Sequence, residues 1–423
     1  MAFETLKQRI FNRKNQDQHI VALDIGTEYV KALVGRVTED EAAGESAVEV
    51  VGVARQHQKL SDMHSGAIAD IGGVVDNCDT ALSAAEEMAE VRVHNAVVGI
   101  AGELVKGSST SINYKRPDSQ QAIDSGEMDE IMERVQNRAL ERARAELSWE
   151  SGVENIEITM VNAAVVNFSI DGYNVTNPVG FQGKDVKVQM FCAFAPMVHI
   201  GALERVAREL NLNLLGITAE PFAVAKSVSA EHGETFGAVF IDVGGGTTDI
   251  ALVNEGGVEG TRMFGIGGRS FTSAVAKNLD ISFEEAEKRK CDVTAEAKDE
   301  DVRKALVPTV KVWLSGVELA LGEFDTVDQL PSKILLCGGG SGLPYIPKAL
   351  ESSSWRENVP IAERITVNHI RPDQVNRVVD KTGEVTDHSY ITPMGLLNVG
   401  LDALTMETTG HKVANKINKA MQN

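Results

Sequence analysis

The feature that most constrains the fold of this chain is a short pattern that occurs twice. An apolar strand ends in aspartate, a glycine turn with threonine follows, and a second apolar strand comes next. The first copy reads DIGTEYVKALV from Asp24, and the second reads DVGGGTTDIALV from Asp242. Two apolar runs on either side of a short polar turn predict a β-hairpin. Because the unit is repeated, we expect two similar lobes that face each other.

A third glycine turn, Gly338-Gly339-Gly340, follows the predicted strand Lys333 to Leu336. Glycine in a single turn often serves only the backbone conformation, so it is the ordered set of three turns that is specific. In the hairpins, glycine lets backbone N–H groups approach phosphate oxygens, and threonine hydroxyls add donors. Asp24 and Asp242 end their strands, where carboxylates can hold water around Mg²⁺. The third turn has no cation nearby and suits adenosine.

The composition and the spacing of other residues exclude several classes of protein. The 423 residues include 41 lysines and arginines against 61 aspartates and glutamates, a formal charge of −20. Such an acidic surface disfavours nucleic-acid binding. The cysteines and histidines lack metal-site spacing, and the hairpins match neither the P-loop nor the Rossmann glycine pattern. No apolar run resembles a membrane span or a signal peptide, so we expect a cytoplasmic protein.

The chain is divided by a change of pattern between about Gly102 and Cys192, where a strand-like segment precedes a long helix with Ser125 as its possible N-cap. Two further strands complete this small α+β unit, which interrupts the first lobe. The predicted organisation is an amphipathic segment at 1–18, a first lobe at 19–101 and 196–232, an inserted subdomain at 102–195, a second lobe at 233–404 with a helical nucleotide subdomain around 270–330, and a basic tail at 405–423. We expect the final helix to be able to return to the first lobe.

The three turns resemble those of the actin, sugar-kinase and chaperone-ATPase superfamily, and the chain resembles the FtsA family from about His19 to Leu404. The run IDGYNVTNPVGFQG near the end of the inserted unit supports this resemblance. It implies an α/β actin-like fold of two lobes with an inserted small α+β subdomain, and ATP with Mg²⁺ between the lobes. Asp24 and Asp242 would hold the Mg²⁺ through water. The implied cofactor-binding residues are Asp24, Gly26, Thr27, Asp242, Gly244, Gly245, Gly246, Thr247, Thr248, Gly267, Gly268, Glu287, Lys290, Gly338, Gly339 and Gly340.

Three acidic or basic residues have roles that the resemblance implies. Glu287 and Lys290 match a family segment in which these residue types reach the ribose and adenine. Their i, i+3 spacing places them on one helix face, where a surface ion pair is the alternative. Glu220 stands where the superfamily's connecting helix begins, and an acid there can position the attacking water in chaperone ATPases. FtsA relatives often lack it, so we expect at most slow ATPase activity.

The resemblance also implies a cellular role. FtsA-type proteins polymerise head to tail on the inner face of the cytoplasmic membrane and tether FtsZ filaments to it at the septum, through the C-terminal peptide of FtsZ. We expect peripheral attachment to anionic lipid through a terminal amphipathic helix, either Met1 to Lys14 or His411 to Asn423. One alternative is a PilM-type pilus-assembly protein, which the short C-terminus favours. Another is a small-molecule kinase of the same superfamily, which the inserted subdomain disfavours.

Overall fold

The computed structural model describes residues 19–40, 45–228, 236–294, 297–324, 327–352, 354–362 and 364–405. The predictions on both terminal amphipathic helices lie outside these described residues.

The first lobe opens with three strands, a two-stranded ribbon, a helix and a further strand. These are β1 (His19–Ile25), β2 (Tyr29–Asp40), β3 (Glu45–His57), β4 (Met63–His64), β5 (Ala67–Ile68), α1 (Ile71–Ala89) and β6 (Asn95–Ile100). Helix α1 begins where the Asp70 side chain accepts hydrogen bonds from the backbone N–H groups of Gly72 and Gly73. Its buried residues recur at helical spacing and pack on the sheet.

The inserted segment consists of one long helix and four strands, which are β7 (Lys106–Lys115), α2 (Ser125–Ser151), β8 (Ile158–Ile170), β9 (Tyr173–Val175) and β10 (Asp185–Pro196). The prediction that Ser125 caps α2 is wrong. Ser125 is already helical, and the extended residue Asp124 accepts the capping bond from Glu127 N at 2.8 Å. Ile131, Val135 and Ala139 lie on the buried face of α2 and form a separate core with the strands.

The rest of the chain completes both lobes. Its elements are α3 (Met197–Glu209), β11 (Asn213–Ala219), α4 (Glu220–Ser227), β12 (Ala238–Val243), β13 (Thr248–Asn254), β14 (Gly257–Phe264), α5 (Gly268–Leu279), α6 (Phe283–Cys291), α7 (Glu300–Gly322), β15 (Lys333–Cys337), α8 (Tyr345–Glu351), β16 (Thr366–His369), β17 (Val378–Asp380) and a last helix, α9, over 391–405.

Two large sheets repeat one arrangement. The first has the order β11-β6-β1-β2-β3-β17, and the second has β16-β15-β12-β13-β14-β7-β10-β8-β9. In each sheet, three consecutive strands pair antiparallel, and the first two of them form the hairpin. Two strands from later in the chain lie on the other side of the first strand and run parallel to it. The α/β arrangement of two similar lobes predicted from the repeated hairpin is therefore confirmed.

The inserted subdomain shares its sheet with the second lobe, although the chain enters and leaves it from the first. Strand β7 pairs with β14 through Gly107–Thr261 and Ser108–Gly260. A Cβ atom at Gly107 would overlap the Thr261 hydroxyl, so glycine is what allows this close approach. The sequence did not predict this junction.

The last described part of the chain returns to the first lobe. Strand β17 pairs with β3, and Leu396, Leu397 and Leu401 of α9 are buried in the core of that lobe. This places 378–380 in the first sheet, although the sequence assigned them to the second lobe. The buried face of α4 belongs to the same core, which also includes one face of the second sheet. Helices α4 and α9 thus pack between the two sheets.

Helix α7 is the one helix among the described residues that is long and apolar enough to cross a membrane, with a mean hydropathy of 1.3 over its most apolar window. One face of the helix packs instead into the core of the second lobe, where Val302, Leu306, Trp313 and Val317 are fully buried, while Val312 and Leu319 are exposed. Helix α7 is therefore explained as a core helix.

Candidate functional site

The turns of the two hairpins and the third glycine turn all line one cleft between the lobes. The cleft has a volume of about 490 Å³, which is within the range of small-molecule sites. The β1–β2 turn approaches from the first lobe, and the β12–β13 turn approaches from the second. Each turn lies at the end of a buried strand, so the sheet fixes its position.

Most of the residues predicted to bind the nucleotide line this cleft. They are Asp24, Gly26, Thr27, Asp242, Gly244, Gly245, Gly246, Thr247, Gly268, Glu287, Lys290, Gly338, Gly339 and Gly340, together with the predicted acid Glu220. Thr248 and Gly267 are outside the lining. The Thr248 hydroxyl donates to Ile266 O at 2.7 Å and accepts from Trp313 Nε1 at 2.9 Å, so it holds α7 against the hairpin. Gly267 makes room for the backbone of Gly244 and Gly245.

The two hairpin turns touch each other directly. A Cβ atom added to Gly245 would lie 2.7 Å from Glu28 Cβ and 3.0 Å from Glu28 N. One added to Gly246 would lie 2.5 Å from Thr27 Oγ1. Glycine is therefore needed here for the approach of the opposite lobe as well as for access to a ligand.

Four carboxyl side chains, those of Asp24, Glu220, Asp242 and Asp249, are buried along the same cleft. Lys31 is the cation among them, and its Nζ lies 2.9 Å from Asp24 Oδ2. Burial raises the pKa of Glu220 well above its ordinary value, and the neighbouring carboxylates raise it further. Burial likewise raises the pKa of Asp249 and that of Asp242. A cation bound in the cleft would favour the ionised form of these carboxyl groups.

The carboxylates differ in how far they are already bonded. Asp242 Oδ2 accepts a short hydrogen bond from Thr392, and Asp24 is paired with Lys31. Asp249 Oδ2 accepts from Thr247 at 3.1 Å, but Asp249 Oδ1 is buried without a hydrogen-bond partner. An unpaired buried carboxylate oxygen fits a hard cation such as Mg²⁺. No three acidic, histidine or cysteine side chains of the described residues converge as a metal shell, so such an ion would take other ligands from water or phosphate.

The third glycine turn packs against the second hairpin. Gly338 has a φ of 79°, and a Cβ atom there would overlap Asp242 Oδ1, so two separate constraints require glycine. Gly339 has no atom within 4 Å of its Cβ position and leaves an open wall. His388 O accepts from Gly338 N at 3.1 Å, which joins this turn to the segment before α9.

Glu287 and Lys290 of α6 form an ion pair that also lines the cleft. Lys290 Nζ lies 2.7 Å from Glu287 Oε2 and 2.8 Å from Thr272 Oγ1. Burial opposes ionisation of Glu287, but Lys290 and Thr272 lower its pKa overall. Glu287 and Lys290 therefore form an ion pair beside the cleft, and their contact with the ribose and adenine stays a prediction.

Sequence reasoning assigned no role to several residues that line the cleft, among them Glu28, Lys31, Asp249 and Arg269. Asp249 is the third polar residue after the glycines of the second hairpin, so the sequence alone could have identified it as a candidate cleft residue. Lys31 lies on the inward face of β2, two residues after Tyr29. Arg269 follows Gly268 directly, but its contact with the other lobe has no counterpart in the local sequence.

Comparison with known proteins agrees with this geometry. The family model described as "Cell division protein FtsA" matches residues 239–395. The chain is 25% identical to the cell division protein FtsA of Pseudomonas aeruginosa, over 95% of this chain and 94% of the relative. It is 23% identical to that of Bacillus subtilis, over 90% and 83%.

A solved structure shows the same fold. The chain superposes on a structure described as a PilM–PilN type IV pilus biogenesis complex with a TM-score of 0.62 and 16% identity, over 90% of this chain and 98% of the other. At that identity the likeness concerns the fold alone. The resemblance predicted from the glycine turns is confirmed: this chain has the actin-like fold and is similar to the FtsA cell-division proteins along nearly its whole length.

Proposed function

We propose that this protein binds ATP with Mg²⁺ between its lobes and acts in cell division as a filament-forming protein on the inner face of the cytoplasmic membrane, where it tethers FtsZ filaments. The observation that supports this best is the meeting of three glycine turns at one acidic cleft, in a chain whose relatives are named cell division protein FtsA.

The cleft residues have distinct tasks in this proposal. Backbone N–H groups of the Gly26 and Gly245 turns, with the hydroxyls of Thr27 and Thr247, face the phosphates. The open wall at Gly339 accommodates adenosine, and the Glu287–Lys290 pair faces the ribose. Bound Mg²⁺ would neutralise phosphate charge, with Asp24, Asp242 and Asp249 as its neighbours through water.

Glu220 is the candidate base for hydrolysis. Its carboxyl lies at the start of α4, where the bare backbone of Gly99 leaves it room. Its pKa is raised well above the ordinary value by burial and by three carboxylates, which favours the protonated form. A protonated acid cannot accept a proton from water, so we expect hydrolysis to be slow.

The test is sedimentation of the full chain with anionic liposomes and purified FtsZ, with ATP, with ADP and without nucleotide, beside calorimetric titration of Mg-ATP. We expect Mg-ATP binding, and pelleting of FtsZ only when this protein, liposomes and ATP are all present. If ATP binds but FtsZ does not pellet with this protein and liposomes, the proposed nucleotide site stands and the proposed tethering role is rejected. Absence of ATP binding would reject both.

A further inference from the structure

Arg269 connects the two hairpin turns. Helix α5 begins beside the second hairpin, because Gly268 N donates to Gly244 O at 2.9 Å and Arg269 N donates to Gly245 O at 2.8 Å. The Arg269 side chain then reaches across to the first lobe, where its Nε lies 2.7 Å from Glu28 Oε2. Both side chains of this ion pair are largely buried, at 14% and 17% exposure. A single residue thus contacts both turns.

One nitrogen of the Arg269 guanidinium group donates no hydrogen bond within the described part of the protein. Arg269 Nη2 is buried and has no hydrogen-bond partner among the described residues. Nη1 has only two contacts at 3.5 Å, to the backbone oxygens of Leu60 and Met63. A buried nitrogen without a partner is costly, and buried donors in folded proteins are normally satisfied by protein, water or ligand. The arginine lines the cleft, so a ligand there is a natural acceptor.

The other cations of the cleft are already committed. Lys31 is paired with Asp24, and Lys290 bonds to Glu287 and Thr272. Arg55 is exposed and lies over the Tyr29 ring. Among the described cleft residues, Arg269 is therefore the cation with a buried, unpaired N–H group next to the glycine turns. A polyanionic ligand in a cleft with four carboxyl groups needs such a donor.

We propose that Arg269 donates from Nη2 to a phosphate of the bound nucleotide while its Nε remains on Glu28. This deepens the proposed ATP site and rests on it. The planar guanidinium has several fixed donors, so it can hold a carboxylate and a phosphate at the same time. One side chain would then couple phosphate binding to the contact between the two hairpin turns, and would favour nucleotides over ligands without phosphate.

The experiment compares Arg269→Gln with Glu28→Gln by calorimetric titration of ADP and ATP. Both variants remove one charge of the same ion pair, but only Arg269→Gln removes the phosphate donor. We expect Arg269→Gln to weaken ADP and ATP binding by at least about tenfold more than Glu28→Gln does, a difference of roughly 1.4 kcal/mol. Titration of adenosine should show no such difference between the variants.

Equal losses in the two variants would overturn the inference, because Arg269 would then act only as half of an interlobe ion pair. Failure of the unsubstituted protein to bind ADP or ATP would instead reject the nucleotide site itself. Should Arg269→Gln not fold, Arg269→Lys takes its place. Its ammonium lacks the planar, fixed set of donors that can hold a carboxylate and a phosphate side by side. It too should therefore bind ADP more weakly than Glu28→Gln, and equal binding would again overturn the inference.

Discussion

At the scale of single residues, the cleft is defined by buried carboxyl groups whose ionisation the protein itself disfavours. Asp249, Asp242 and Glu220 are buried, and each has a pKa raised first by loss of solvent. A carboxyl group with a raised pKa in the folded state favours folding below its unfolded pKa and disfavours it as the pH rises through the folded value. The ligand-free protein should therefore lose stability from this source as the pH rises above about 4.

Replacement of Asp249 by asparagine tests this argument. We expect Asp249→Asn to stabilise the ligand-free protein at pH 7 by about 1–3 kcal/mol, because it removes a buried charge with an unpaired oxygen. The gain should shrink toward pH 4 and should be lost when Mg-ATP is present. Urea unfolding at several pH values measures it, with the exposed residue change Asp129→Asn as the control. A loss of stability in Asp249→Asn at pH 7 would contradict the argument.

Gly245 provides a second prediction at this scale. Valine there would collide with Glu28, so the turns could not approach and the phosphate clamp would not form. We expect Gly245→Val to abolish measurable ATP binding while the chain stays folded. The control is Gly201→Val, since Gly201 is exposed on α3 with no atom within 4 Å of its Cβ position. Undiminished ATP affinity in Gly245→Val would show that contact between the turns is not needed.

At the scale of elements, the inserted subdomain is less separable than its sequence indicated. Removal of the segment between Gly102 and Phe194 would delete Phe191, which stacks on Phe222 of α4 at 5.3 Å and belongs to the first lobe's core. It would also leave the edge of β14 unpaired. Filament formation belongs to the proposed function, and we propose that the inserted subdomain contributes contacts to it. The deletion is a poor test of that role, because it would destabilise the protein.

A substitution at the junction is a sharper test of the same idea. We expect Gly107→Val to separate β7 from β14, because the new side chain would overlap Thr261. Hydrogen exchange should become faster at Gly260 and Thr261, while Mg-ATP binding remains within about twofold and filament formation is reduced. Unchanged exchange in β14 would mean that the pairing tolerates a side chain. Normal filaments despite faster exchange would mean that the junction plays no part in assembly.

The sequence predicted the elements that form the cleft better than the contacts between them. Each glycine turn follows an apolar strand, and this local pattern was enough to place Asp24, Asp242 and Gly338 at strand ends. The pairing of β7 with β14, and the bond from Arg269 to Glu28, join segments more than 150 residues apart. Neither periodicity nor turn chemistry encodes such pairs, because they depend on how the lobes pack. The start of a helix is also less well predicted than the helix itself. The sequence placed the N-cap of α2 at Ser125, whereas the structure places it one residue earlier, at Asp124.

At the scale of the whole molecule, the net charge of −20 matters for the proposed membrane attachment. Anionic lipid repels an acidic body, so a basic terminal segment must supply the attraction. We expect liposome binding to decrease when the chain starts at Asp17 or ends at Thr409, and to fall with added salt. Sedimentation with anionic liposomes, with neutral liposomes as the control, measures both effects. If both truncated proteins bind as the full chain does, neither terminus is the anchor.

The shared nine-stranded sheet has a mechanical consequence. A pull on the inserted subdomain passes from β7 to β14 and β13, and so reaches the Gly244–Gly246 turn through hydrogen-bonded backbone alone. The narrowest point on that route is the junction of β7 and β14, where two residue pairs join the strands. Under tension this junction would part before the sheets on either side of it. It would therefore limit the force that reaches the second lobe's glycine turn by this route.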